Sequence, residues 1–397
     1  MSDPRTARVL SALARSGITS RFVGGCVRDA LCGRMVGDVD LAIDQPPAVA
    51  VRTLEAAHLK VIPTGIKHGT ITAVSGGRPF EITTLRRDVE TDGRHAVVAF
   101  TDDWLADASR RDFTFNAMFC DSAGHLWDFF GGRDDLAAGR VRFVGDPATR
   151  IDEDVLRILR FFRFHAWYGR PPFDDQGFAA CHAAADKLRN LSAERVRKEL
   201  LKLLEAPDPG DTIAAMADIG LFRHWLPEYG GTDLLRLVVA NESTVPVADG
   251  LRRLSAIVGA AGDATSIGKR LRLSTQEALR LTVMLAPEPV IDLDHGAPHV
   301  RRQIYQLGNA LYIDRLMRRP DARDPKWQEA WRLATTWTPP ELPISGGDAL
   351  KLGMRSGRRV GTLIAAVEGW WIARDFAPDR AACLAELRRL VDSGEGA

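Results

Sequence analysis

An α+β fold, with a small N-terminal head built on a mixed sheet and an all-α neck, body and tail behind it, follows from three features of the 397-residue sequence. Up to about residue 136, short runs rich in β-branched and aromatic residues alternate with turn signals. From about residue 137 those runs nearly vanish, and apolar residues recur with the helical period. A chain of this length also exceeds what one hydrophobic core usually serves, so more than one structural unit is expected.

In the head, the segments RFVGG, DVDLAI, GTITAV, PFEITTL and HLWDFF read as strands bounded by turn residues. Beyond it, DEDVLRILRFFRFHAW, SAERVRKELLKLLEA, TQEALRLTVMLA and GTLIAAVEGWWIARDF read as amphipathic or buried helices. Pro- and Gly-rich breaks at GDPATR, GRPPFDD, EAPDPGD and WTPPELPISGGD punctuate them. These signals divide the chain into a head (1–136), a helical neck (137–205) and a helical body and tail (206–397).

Composition narrows the function classes. At 45% apolar and 26% charged residues the chain is ordinary for a soluble globular protein. No apolar run approaches the roughly 18 residues of a membrane span, and no long apolar segment follows a basic start, so the expected location is cytoplasmic, without a membrane partner. Five scattered cysteines, none in a CxxC pair, argue against a disulfide framework or a structural zinc. The net charge of +1 does not exclude RNA, since phosphate contact depends on where charge sits.

The densest chemistry lies between residues 22 and 43. There FVGGCVRD is followed by a helix-like stretch and then GDVDLAI. Side chains alternate faces along a strand, so Asp38 and Asp40 are expected on one side, about 7 Å apart, where they could share a pair of divalent cations. Gly24 and Gly25 let the backbone approach a triphosphate closely, and Arg28 is a candidate phosphate clamp. A tight turn with a helix-end salt bridge is the competing reading. GGCVRD with GDVDLAI resembles motif A of the class II tRNA nucleotidyltransferases and bacterial poly(A) polymerases, within the DNA polymerase β-like superfamily. That resemblance implies Mg²⁺ as cofactor, held by Asp38 and Asp40, and a third carboxylate on a neighbouring strand. Glu81 in PFEITTLRRD is the best-situated candidate, with an exposed edge-strand residue as the alternative.

RRDFTFNAM (110–118) resembles the family's motif B, implying that Arg111, Asp112 and Asn116 contact the ribose and phosphates of an incoming nucleotide. A structural ion cluster is the alternative.

Motif D of the family, EDxxRxLRxxRF, is matched by EDVLRILRFFRF. On one continuous helix Asp154 and Arg157 would lie side by side, and an ordinary i,i+3 ion pair is the plain alternative. The functional reading is more specific. Cytosine and adenine both present an exocyclic amine beside a ring-nitrogen acceptor, whereas uracil and guanine present a carbonyl and an N–H donor. A carboxylate only accepts and a guanidinium only donates, so the pair can match C or A and leaves unsatisfied groups against U or G. Arg160 and Arg163 are expected to face the nucleotide. SAERVRKELLKLL looks like motif E, whose Glu194, Arg195 and Glu199 would support the reader helix, with Ser192 as its N-cap. Residues 86–95 resemble the flexible loop that helps switch the pocket between C and A addition.

The resemblance therefore implies an enzyme that adds CCA to the tRNA 3′ end from CTP and ATP by a two-metal reaction releasing pyrophosphate, with the tRNA acceptor end as partner and no protein partner. Poly(A) polymerase remains open, as do a CC-only or A-only enzyme and a non-catalytic RNA-binding relative. Basic clusters around residues 266–274, 301–302, 315–319 and 354–359 are candidates for tRNA phosphates, each against the alternative of a solvated face. The segment ISGGDALKLGMRSGRRVGTLIAAVEGWW resembles the family's bacterial tail. No His-Asp constellation of the kind that marks an appended phosphohydrolase domain is read, so phosphatase activity is not expected.

Overall fold

The computed structural model describes residues 3–92, 95–245, 248–259, 262–287, 289–320 and 322–393. Two compact units emerge, one formed by Met1–Thr232 with Val258–Ala260 and Lys269–Arg272, the other by Asp233–Ile257, Ala261–Gly268 and Leu273–Ala397.

The first unit carries a seven-stranded mixed sheet, as the sequence predicts. Its strands are β1 (Ser20–Val23), β2 (Asp40–Ile43), β3 (Lys60–Gly65), β4 (Thr70–Ser75), β5 (Arg78–Thr84), β8 (Phe119–Cys120) and β9 (Leu126–Trp127), in the order β3-β4-β5-β2-β1-β8-β9. Among the described residues, β2 and β5 alone pair in parallel. β3 and β8 were not legible in the sequence: the Pro63 in KVIPTG demotes the first, and the second is two residues long. β6 (Arg86–Asp92) and β7 (His95–Phe100) form a separate antiparallel hairpin. The segment expected to be a flexible loop thus has a paired backbone, while Gly93 and Arg94 lie outside the described residues.

Helices α1 (Pro4–Arg15), α2 (Gly25–Leu31), α3 (Pro47–Ala56), α4 (Trp104–Ser109) and α5 (Gly132–Ala138) accompany the sheet. Next come α6 (Pro147–Glu153), α7 (Leu156–Tyr168), α8 (Asp175–Ala183), α9 (Ala193–Leu204) and α10 (Gly210–Asp218). A ladder of aromatic rings ties α7 to the motif B segment. Phe113 meets Phe143 at 4.8 Å and Phe164 at 5.3 Å, and Phe115 meets Phe164 at 5.5 Å between ring centroids. Such edge and tilted contacts add to burial and hold both segments rigidly. At the start of α5, Gly132 lies so close to Thr114 that an added Cβ would sit 2.2 Å from its carbonyl oxygen.

The second unit is helical, from α11 (Asp233–Thr244) onward. One core gathers Ile304, Tyr312, Leu316 and Trp327, and another gathers Leu363, Val367, Trp371 and Leu387. The same unit holds a buried ion network: Arg252 reaches Glu242 at 2.5 Å and Asp314 at 2.9 Å, while Arg280 reaches Asp314 at 2.6 Å. Among the described residues no helix is long and apolar enough to cross a membrane.

Candidate active site

β1 delivers the chain to Gly24, whose φ of 70° and ψ of −125° are open to glycine and costly for other residues. A Cβ there would also sit 3.6 Å from the Arg111 guanidinium. α2 then turns Arg28 inward, where its Nη1 donates to Asn116 Oδ1 at 2.7 Å and its Nε to Asp29 Oδ1 at 3.0 Å. The Arg28 guanidinium lies 4.3 Å from the Tyr168 ring centroid. It is therefore anchored on several sides, with part of its donor capacity left toward the cleft.

The parallel register of β2 and β5 sets Asp40 directly beside Glu81. Burial first, then the Glu81 and Asp38 carboxylates, push the Asp40 carboxyl up to about 6, against the opposing pull of Arg111. Acids crowded together with so little counter-charge are a fit for a bound cation. Glu81 is thus no isolated edge residue. Asp38 departs from expectation: β2 begins only at Asp40, and Asp38 is an exposed residue ahead of it.

Motif B is held from below by a residue that the sequence reading missed. Asp107, fully buried on α4, receives Arg110 at 2.8 Å and Arg111 at 2.7 Å. Burial pushes its carboxyl up, but the two guanidiniums outweigh this and hold it below the ordinary carboxylate range. Its signal was available, since an acid three and four positions ahead of two arginines on a helix reaches both.

Asp112 begins a chain of alternating charge. Asn116 Nδ2 donates to Asp112 Oδ1 at 3.1 Å, and Arg160 Nε donates to Asp112 Oδ2 at 2.7 Å. Arg160 also lies 3.9 Å from Glu199, which takes Arg163 at 2.5 Å. Burial acts against the Asp112 carboxylate, yet Arg160 and the hydrogen bonds prevail and lower it. Glu199, on α9, therefore supports the arginines of α7, in keeping with the motif E expectation.

The helix carrying motif D is not continuous. Asp154 has extended backbone (φ −152°, ψ 103°) between α6 and α7, and its Oδ1 accepts the N–H of Leu156 at 3.1 Å. An i,i+3 ion pair with Arg157 does not form. Instead Asp154 receives Arg195 at 2.7 Å, while Arg157 meets Glu153 at 2.5 Å and donates to the carbonyls of Arg150 and Arg110. Each has its own anchor, because the break at Asp154 removes the helical spacing that would pair them. Ser192 does occupy the N-cap position of α9, but its hydroxyl makes no capping bond.

One open cleft of about 650 Å³ is lined by every expected site residue except Asp38, with Arg110 of motif B beside them and with Arg195, Lys202, Thr83 and Arg86, which had not been expected to line it. Acids of the head, the arginines of motif B and α7, and the Asp154 and Arg157 side chains thus share one space. Of the basic clusters, part is spoken for: Arg315 donates to Val283 O, Arg318 to Ser255 Oγ, Arg301 pairs with Asp375 and Arg270 with Glu228. Arg355, Arg358 and Arg359 are exposed.

Residues 20–142 match the poly A polymerase head domain, and residues 173–230 match a probable RNA and SrmB-binding site of polymerase A. The CCA tRNA nucleotidyltransferase 1, mitochondrial, of Danio rerio is 34% identical over 376 residues, covering 88% of this chain and 83% of the relative. The chain belongs to the CCA tRNA nucleotidyltransferase family. The human relative of the same name is also 34% identical, over 93% of this chain and 86% of its own length. Among solved structures, the CCA-adding enzyme of Bacillus stearothermophilus in complex with CTP superimposes with a TM-score of 0.79 at 25% identity, covering 99% of both chains. The Thermotoga maritima CCA-adding enzyme complexed with tRNA, at 20% identity and a TM-score of 0.64, shares the fold.

Proposed function

We propose that this member of the family adds C, C and A to the 3′ end of tRNA from CTP and ATP without a nucleic-acid template, releasing pyrophosphate. The observation that carries this reading is the meeting of Asp40 and Glu81 with Asp154 and Arg157 in one cleft. A reaction centre and a device for reading a base edge then serve the same bound nucleotide. Relatives solved with CTP, with ATP and with tRNA support the substrates.

Asp40 and Glu81, with Asp38 ahead of the strand, would hold Mg²⁺. When bound, it supplies charge neutralisation at the triphosphate and lowers the pKa of the attacking 3′-hydroxyl. Gly24 and Gly25 keep side chains out of the triphosphate's approach, and Arg28 and Arg111 offer guanidinium donors to its oxygens. Arg160 and Arg163, neutralised in part by Asp112 and Glu199, bound the nucleotide on the α7 side.

Base selection falls to Asp154 and Arg157. The Asp154 carboxylate, oriented by Arg195 and the Leu156 N–H, retains lone pairs for an exocyclic amine, and Arg157, braced by Glu153, retains N–H donors for the neighbouring ring nitrogen. In this reading the head (1–136) does the chemistry, the neck (137–205) reads the base, and residues 206–397 hold the tRNA through exposed arginines such as Arg355, Arg358 and Arg359. The location we assign is cytoplasmic.

The test is extension of a tRNA lacking its terminal CCA. With CTP alone, two residues are incorporated; with CTP and ATP, growth stops after three. Open-ended growth on ATP would make the protein a poly(A) polymerase instead, and arrest after CC, or ATP uptake only on a tRNA ending in CC, would make it a partial enzyme.

A further inference from the structure

Folding brings together a set of donors that the nucleotidyl transfer reaction does not use. Asp292, His295 and His299 stand at the start of α15 (Gly296–Leu307) in the second unit, and their ligand atoms all lie within 4.8 Å of one another. His295 Nδ1 is 2.7 Å from Asp292 Oδ2, and His299 Nε2 is 3.9 Å from that same oxygen. A cation with bonds of about 2.0–2.2 Å needs neighbouring ligand atoms a little over 3 Å apart. The trio brackets that value, so small side-chain rotations close it.

Each ligand is aimed by its surroundings. His295 and His299 are four residues apart where the helix begins, which sets both rings on one face, with centroids 5.3 Å apart. The Asp292 carboxylate is oriented by the Asp294 N–H, which donates to its Oδ1 at 2.9 Å. Buried Gln303, two turns along the same helix, accepts from the Asp292 N–H at 3.2 Å and donates to Val290 O at 2.8 Å, so the ligand-bearing loop is clamped to the helix that supplies the imidazoles. The nearby ammonium of Lys326 is paired with Asp294 at 2.6 Å.

From this geometry we propose that Asp292, His295 and His299 form a binding site for a divalent transition-metal ion of the Zn²⁺ class, with water completing its coordination. Two imidazoles and one carboxylate suit zinc, cobalt or nickel and do not suit Mg²⁺, which demands oxygen ligands. The ion would staple the connection after α14 (Thr275–Leu285) onto α15, whose Val300 and Ile304 enter the core.

The test titrates Zn²⁺ into metal-stripped full-length protein by calorimetry, with millimolar Mg²⁺ present to occupy the catalytic acids, and follows thermal unfolding in parallel. One zinc per chain and a rise in Tm are expected, with at least about tenfold weaker binding in His299→Ala and in Asp292→Asn, and loss of both effects in the His295→Ala/His299→Ala double variant. tRNA extension in Mg²⁺ should be unchanged in all of them. No zinc uptake under these conditions, or equal uptake by wild type and the double variant, would overturn the proposal.

Discussion

Asp40 and Glu81 are direct partners across the parallel strand pair formed by β2 and β5, and burial together with the Glu81 carboxylate opposes ionisation of Asp40. The site is therefore built at the expense of folding stability. With a folded pKa of about 6 against a reference of 3.8, the native protein binds more protons than the unfolded chain between those values, so this group's contribution falls as pH rises through that window and is flat above it. In EDTA, Asp40→Asn should unfold about 1–3 kcal/mol later at pH 8 and show little gain at pH 4, while losing activity. Denaturant titrations at both pH values check this, and a gain confined to pH 4 would reverse the sign.

Glu81 gives a sharper kinetic test. Glu81→Gln should lower kcat by about 10²-fold or more and raise the Mg²⁺ concentration needed for half-maximal rate. If Glu81 merely decorated its strand, rate and Mg²⁺ dependence would stay within a factor of two or so of wild type.

Asp112 joins motif B to α7 through Asn116 and Arg160. Removing one member of a largely buried ion pair strands the other, so Asp112→Ala should cost about 2–4 kcal/mol, with Asp112→Asn milder. Chemical denaturation compares the two.

Arg195 reaches Asp154 from α9, and in the proposed reading it acts as a positioning residue. Arg195→Ala should reduce kcat/KM for CTP and ATP alike by about tenfold, with unfolding midpoint nearly unchanged because the pair is partly exposed. Arg195→Lys should recover part of the loss, whereas a purely structural role would move stability first.

What the sequence disclosed and what it withheld have physical reasons. Glu81 could be guessed as a third acid, yet its register with Asp40 depends on a strand pairing between segments separated by two further strands. Asp38 and Asp40 looked equivalent by alternation, but β2 starts two residues too late to carry both. The motif D helix read correctly on its apolar face, because Ile158, Phe161 and Phe162 are buried, and incorrectly at its start, where the Asp154 side chain competes for the backbone N–H that a helix would leave to its own ladder. The Asp292, His295 and His299 trio is close in sequence, but its meaning lies in the clamp by Gln303, which no spacing reveals.

If a side-chain acid and guanidinium replace a template strand, nucleotide choice reports it most directly. On tRNA lacking its final A, single-nucleotide incorporation should be compared for all four triphosphates in wild type, Asp154→Ala and Arg157→Ala. Wild type should strongly prefer ATP over UTP and GTP, and that preference should collapse by at least about tenfold in each variant, as expected when a discriminating hydrogen bond is lost. Variants that slow down yet keep the wild-type ratio among nucleotides would contradict it.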